Sequence, residues 1–178
     1  MARQIALLRG INIGPNKRVA MPRLRELLTE AGYKDVKTYV QSGNIVLTSR
    51  LSPPKLEQAL EKLVAEEFGF DVAVVVRTRD EVAAVVERDP FGDLADNPKR
   101  FQVTFLSAEL EPETVAELEA LRSGEERVVA SGREIYAWHP DGAARSQLWN
   151  RLAGTRLGAT ATSRNWNTVL ALLALADE

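Results

Sequence analysis

The chain has 178 residues, of which 45% are hydrophobic and 27% charged, and its net charge is −2. This is the composition of a soluble globular protein, long enough for one medium domain or two small lobes. It has no cysteine and a single histidine, which excludes disulfides, thiolate nucleophiles, cysteine-bound metal centres and multi-histidine sites within one chain.

The charge is unevenly spread. Residues 1–50 carry nine Lys or Arg and three acids, a balance of +6, while the remainder balances at −8. A local basic surface attracts phosphates even on a mildly acidic protein; the alternative is that the two halves complement each other. No apolar run approaches the roughly 20 residues needed to span a bilayer. The stretch Ile5–Leu8 is too short for the core of a secretory signal. The expectation is a cytoplasmic protein with no membrane partner.

Taken in order, Ile5 to Arg9 reads as a central strand, followed by a Gly-Ile-Asn-Ile-Gly-Pro loop. Met21 to Ala31 reads as a helix: Pro22 suits its first turn, Leu24, Leu27, Leu28 and Ala31 form an apolar stripe, and Gly32 suits the position after its end. Val36 to Val40 and Ile45 to Thr48 are strand candidates around a Gln-Ser-Gly-Asn turn. A second helix opens at Ser52-Pro53-Pro54 and ends at Gly69, and the β-branched run Asp71 to Arg77 is a fourth strand. The order is β-α-β-β-α-β, the ferredoxin-like arrangement.

A connector follows, with a helix from Thr78 to Asp89 and a loop from Phe91 to Lys99. The pattern then recurs: strand Phe101–Leu106, helix Pro112–Leu121, strands Glu126–Ala130 and Glu134–Trp138 around Ser131-Gly132-Arg133, helix Ala144–Leu152 and strand Ala159–Ser163. A terminal helix runs from Asn165, a good N-cap, to Ala176. The predicted fold is therefore α+β: two ferredoxin-like β-α-β-β-α-β lobes in tandem with a C-terminal helix. The expected divisions are 1–78, a connector over 79–100, and 101–178.

Three polar clusters interrupt these apolar elements. The first holds Arg9, Gly10, Asn12, Gly14 and Lys17: its glycines permit close backbone approach, its N–H groups suit an anion, and its cations neutralise one. It matches neither a P-loop nor a dinucleotide-binding fingerprint. The second holds Tyr39, Gln41, Ser42 and Asn44, rich in donors and acceptors around Gly43. The third, Thr160 to Thr168, places Arg164, Asn165 and Trp166 at a helix start, where anions are favoured. Each has a structural alternative: an ordered loop, a hairpin turn, and capping plus Trp packing. His139 reads as an exposed strand-end residue, and the run from Glu109 to Glu126 as a solvated acidic face. No metal site or cofactor is implied.

The motifs Ala6-Leu7-Leu8-Arg9-Gly10-Ile11-Asn12-Ile13-Gly14, Thr38-Tyr39-Val40-Gln41-Ser42-Gly43-Asn44 and Ala161-Thr162-Ser163-Arg164-Asn165-Trp166-Asn167-Thr168 resemble those of the bacterial family known as domain of unknown function 1697. Ser163 stands where that family usually shows Ala. The resemblance implies a cytoplasmic α/β protein with two similar lobes; it does not supply an activity.

Three functions fit these observations. The first is binding of a phosphate-bearing or other anionic ligand, a nucleotide or nucleic acid, at a cleft between the lobes. RNA-binding sheets of this type use exposed aromatics, and the chain has only 6% aromatic residues, so a nucleotide or small anionic metabolite is the better-supported partner. The second is an enzyme on a phosphorylated or carboxylated metabolite, with Tyr39, Ser42 or His139 as reactive group. The third is a non-catalytic protein-interaction module built on the terminal helix. Nothing in the sequence fixes an oligomeric state.

Overall fold

The computed structural model describes residues 1–178. The chain divides into two compact units, one of Met1–Ala84 with Ala171–Glu178 and the other of Val85–Leu170.

The first unit contains β1 (Ala2–Leu8), α1 (Met21–Glu30), β2 (Lys34–Tyr39), β3 (Asn44–Ser49), α2 (Pro53–Phe68) and β4 (Val74–Thr78). The strands form one antiparallel sheet in the order β2-β3-β1-β4. Both helices begin with Pro in the first turn, where a missing N–H costs nothing. Leu24 and Leu28 of α1 and Leu56, Leu60 and Val64 of α2 pack with Ala6, Leu8, Ile45, Leu47, Val74 and Val76 of the sheet. Ile11 and Val19 belong to the same core, so both ends of the loop after β1 are anchored in it. At the sheet edge the register of β2 against β3 shifts between Lys34 and Lys37, and Asp35 has φ of +50°.

The helix α3 (Arg79–Arg88) spans the boundary between the units, and α6 (Trp166–Ala176) passes from the second unit back into the first. The second unit contains β5 (Phe101–Leu106), α4 (Pro112–Ala120), β6 (Arg127–Ser131), β7 (Glu134–Trp138), α5 (Gln147–Ala153) and β8 (Ala161–Asn165), with a single 3-10 turn at Gly92–Leu94. Its sheet runs β6-β7-β5-β8, again antiparallel. Leu118 of α4 and Leu148 and Leu152 of α5 pack on Leu106, Ile135, Ala137 and Ala161.

The two sheets share one register. Gln4 stands opposite Thr78 and Gln102 opposite Asn165; Leu7 faces Asn44 and Phe105 faces Glu134. The flanking backbone bonds also correspond: the Leu8 N–H donates to the Gly43 carbonyl as that of Leu106 does to Arg133, and Arg9 donates to Ala73 as Ser107 does to Thr160. The tandem ferredoxin-like architecture with a C-terminal helix is as the sequence pattern predicts.

Candidate functional site

The loop after β1 is held in shape by Asn12. Its amide Nδ2 donates to the carbonyls of Val19 (2.9 Å) and Gln41 (2.8 Å), and its Oδ1 accepts from the Val19 N–H (2.9 Å). Its own N–H donates to the Lys17 carbonyl (3.1 Å), closing residues 12–17 into a ring. Asn12 has φ of +55°, a conformation that asparagine tolerates better than most residues.

The facing turn is equally constrained. Gly43 has φ of +88°, and a Cβ there would lie 2.7 Å from Leu8 Cβ and 2.9 Å from Ile11 Cδ1, so only glycine lets the turn close on the loop. Asn44, fully buried, donates to the Tyr39 carbonyl (3.0 Å) and the Ser42 hydroxyl (2.9 Å). Val40 has φ of +51°, a position that costs a β-branched residue about 1–3 kcal/mol. The first two sequence clusters, around Arg9–Lys17 and Tyr39–Asn44, thus meet in the first unit.

No acidic residue lies in 9–19 or 39–43. Lys17 and Arg18 are exposed and enter no ion pair. Several other cations of this unit are engaged, Arg23 with Glu26, Glu30 and Glu67, Lys37 with Glu178, and Arg79 with Asp80 and Asp177, while Lys34, Arg50 and Lys55 are, like Lys17 and Arg18, exposed and outside any ion pair. The hydrogen bonds that Arg23 donates to Glu67 and Glu30 raise its guanidinium further above its ordinary value. The N–H groups of Ile13, Gly14, Asn16, Lys17 and Arg18 also have no partner within the protein. Arg18 thus joins Lys17 of the first sequence cluster, and the sequence signal for it is its adjacency to Lys17 in an acid-free run.

The third cluster lies in the second unit, in β8 and the start of α6. Arg164 is buried and donates to Thr162 Oγ1 (2.7 Å) and the Ser163 carbonyl (2.9 Å). Burial pulls its guanidinium down to about 10. Asn165 caps the helix by accepting from the Thr168 N–H (3.0 Å). Trp166 stacks on Phe101, centroids 4.4 Å apart and planes at 5°.

Two sequence expectations are corrected here. His139 is fully buried rather than an exposed strand end, and Glu126 is buried rather than part of the solvated acidic face. The reason is their mutual hydrogen bond: His139 Nδ1 lies 2.6 Å from Glu126 Oε2, which also accepts from the Ser146 hydroxyl at 2.6 Å. Glu126 Oε1 accepts from the Ser123 N–H (2.9 Å), and Ser146 caps α5 through the Trp149 N–H (3.0 Å). A cavity of 480 Å³ borders this network, lined by Ser123, Glu126, Asp141, Arg145 and Ser146 among others. His139 and Ser146 both bond to the same carboxylate oxygen, so the arrangement is not a nucleophile–base relay. No group of three or more His, Asp or Glu is placed to hold a metal ion.

A comparison with the curated proteins finds no match. Among solved structures, the chain is similar to the conserved bacterial protein SP0830 from Streptococcus pneumoniae, at 25% identity and a TM-score of 0.79 over 98% of each chain. The family model described as "Protein of unknown function (DUF1697)" matches residues 1–136. That match takes in the loop and turn joined by Asn12, and on its extent the chain belongs to the DUF1697 family of proteins of unknown function.

Proposed function

We propose that the chain binds a phosphate-bearing or other small anion at the corner of the first unit formed by the Arg9–Val19 loop and the Tyr39–Gly43 turn. The observation that carries this reading is the closed 12–17 ring, which leaves several amide donors unpartnered beside Lys17 and Arg18, in segments that themselves contain no carboxylate. Unpaired backbone N–H groups on a constrained loop, with cations beside them, form an anion-binding concavity. The Asn12 hydrogen bonds fix the loop in advance, which lowers the ordering cost of binding. Arg9, half-buried at the loop entrance, adds to the positive field. An exposed site of this kind discriminates by charge, and its affinity falls as salt rises.

The test is a titration of the full chain with inorganic phosphate, sulfate and a mononucleotide at matched ionic strength, followed by melting temperature and calorimetry. A ligand of the folded state raises Tm by mass action. The expected result is a saturable rise that the double variant K17A/R18A abolishes while keeping its own fold. No rise with any anion, or an equal rise in the double variant, overturns the reading.

A further inference from the structure

We infer that the anion bound at this corner is carried by a flat, partly apolar group, making the ligand a nucleoside phosphate. This rests on the anion reading above and adds a recognition element to it. Two large apolar side chains are exposed at the corner: Ile13 at 83% and Val40 at 53%. They belong to different segments, but the hydrogen bond from Asn12 to the Gln41 carbonyl, 2.8 Å long, joins the residues next to each of them. Ile13 is the residue after Asn12 and Val40 the residue before Gln41. Two exposed aliphatic side chains therefore flank the hydrogen bond that joins the cationic, amide-rich ring to the turn.

The backbone makes Val40 informative. At φ of +51° glycine or asparagine would sit with less strain. The valine side chain is mostly exposed, so core packing does not compensate for this choice. What it offers is an aliphatic surface turned to solvent. Small-molecule sites pair such surfaces with a few placed polar groups. The Gln41 side chain is exposed and makes no hydrogen bond within the protein. Its amide carries the donor and acceptor that a base edge requires. Cations for a phosphate, aliphatic cover for one ring and an amide for its edge together describe a nucleoside phosphate, whereas a bare anion would use only the first.

The experiment compares calorimetric affinities for AMP, GMP and UMP with those for ribose 5-phosphate and inorganic phosphate, in the wild type, V40G and I13S. The expected result is at least one nucleoside monophosphate binding tenfold or more tightly than ribose 5-phosphate. V40G is expected to raise Tm, because the turn is relieved, and to cut that ratio at least fivefold. I13S lowers the same ratio and serves as the second variant. Equal affinities across the series, lost in K17A/R18A, leave the anion site standing and overturn the nucleoside inference. An undiminished ratio in both V40G and I13S overturns it as well. No binding by any of these compounds removes both readings.

Discussion

Glu126 and His139, thirteen residues apart, meet at 2.6 Å inside the second unit. Burial alone would push the Glu126 carboxyl up, but hydrogen bonds from Ser146, His139 and the Ser123 amide outweigh it, and the group lies below its ordinary value. A carboxylate depressed in the folded state stabilises the protein above its unfolded value of 4.5. That stabilisation is lost as pH falls through the folded value. Urea unfolding followed from about pH 7 to about pH 3 is expected to show this loss in the wild type. Glu126→Gln is expected to cost about 2 kcal/mol at neutral pH and to flatten the acid limb. An acid limb of unchanged steepness in the variant would remove Glu126 as its source.

Gly43→Ala is expected to be among the most damaging single-methyl additions in the chain. The new Cβ meets Leu8 Cβ at 2.7 Å, and the φ of +88° is strained for any L side chain. Overpacking and strain together put the cost at about 3 kcal/mol or more. Gly14→Ala is the control: no atom lies within 4 Å of its added Cβ and its φ is not positive, so its effect should stay within about 0.5 kcal/mol. Chemical denaturation of the two variants in parallel measures the contrast. Similar stabilities would mean that the loop and turn do not close as described.

Tyr136 donates its hydroxyl to the Val85 carbonyl at 2.8 Å and is fully buried. Burial pushes its phenol up to about 12 from an ordinary 10.0. Stability from this group is therefore complete below about pH 10 and is lost as pH climbs towards about 12. Tyr136→Phe should cost about 1 kcal/mol at neutral pH and weaken the alkaline loss. Ultraviolet titration of the phenols gives a direct reading, with Tyr136 ionising well above the ordinary 10.0. Early ionisation of Tyr136, traced by its absence in the Phe variant, contradicts its burial.

Helices and strands were legible wherever the apolar period matched the element, as in α1, α2 and β5. The start of β4 and the end of β8 were less so. Asp71 to Arg77 reads as one β-branched run, yet pairing begins at Val74; Val72 is apolar because it sits in the core, not because it is in the ladder. In β8 the polar pair Arg164-Asn165 looks like a helix lead-in, but it pairs with Val103 and Gln102. The correspondence between Arg77 and Arg164 was invisible in sequence, because it resides in register: Arg77 opposes Ile5 in β1 and Arg164 opposes Val103 in β5. The Glu126–His139–Ser146 network left no local signal either, since its members are brought together only by the hairpin and the loop before α5. At the anion-binding corner the residue types were legible, but the Asn12 clamp depends on a hydrogen bond spanning 29 residues.

The irregular register of β2 has a consequence for the protein in concentrated solution. An edge strand exposes backbone donors and acceptors that a neighbouring molecule can extend into a continuous sheet. In β2 the break between Lys34 and Lys37 and the left-handed Asp35 interrupt that row, and lysines flank the break. The corresponding edge, β6, pairs without interruption from Arg127 to Ser131 and leaves Val129 and Ala130 exposed. Of these two corresponding edges, β2 is therefore the poorer template for edge-to-edge pairing under stress and β6 the better one.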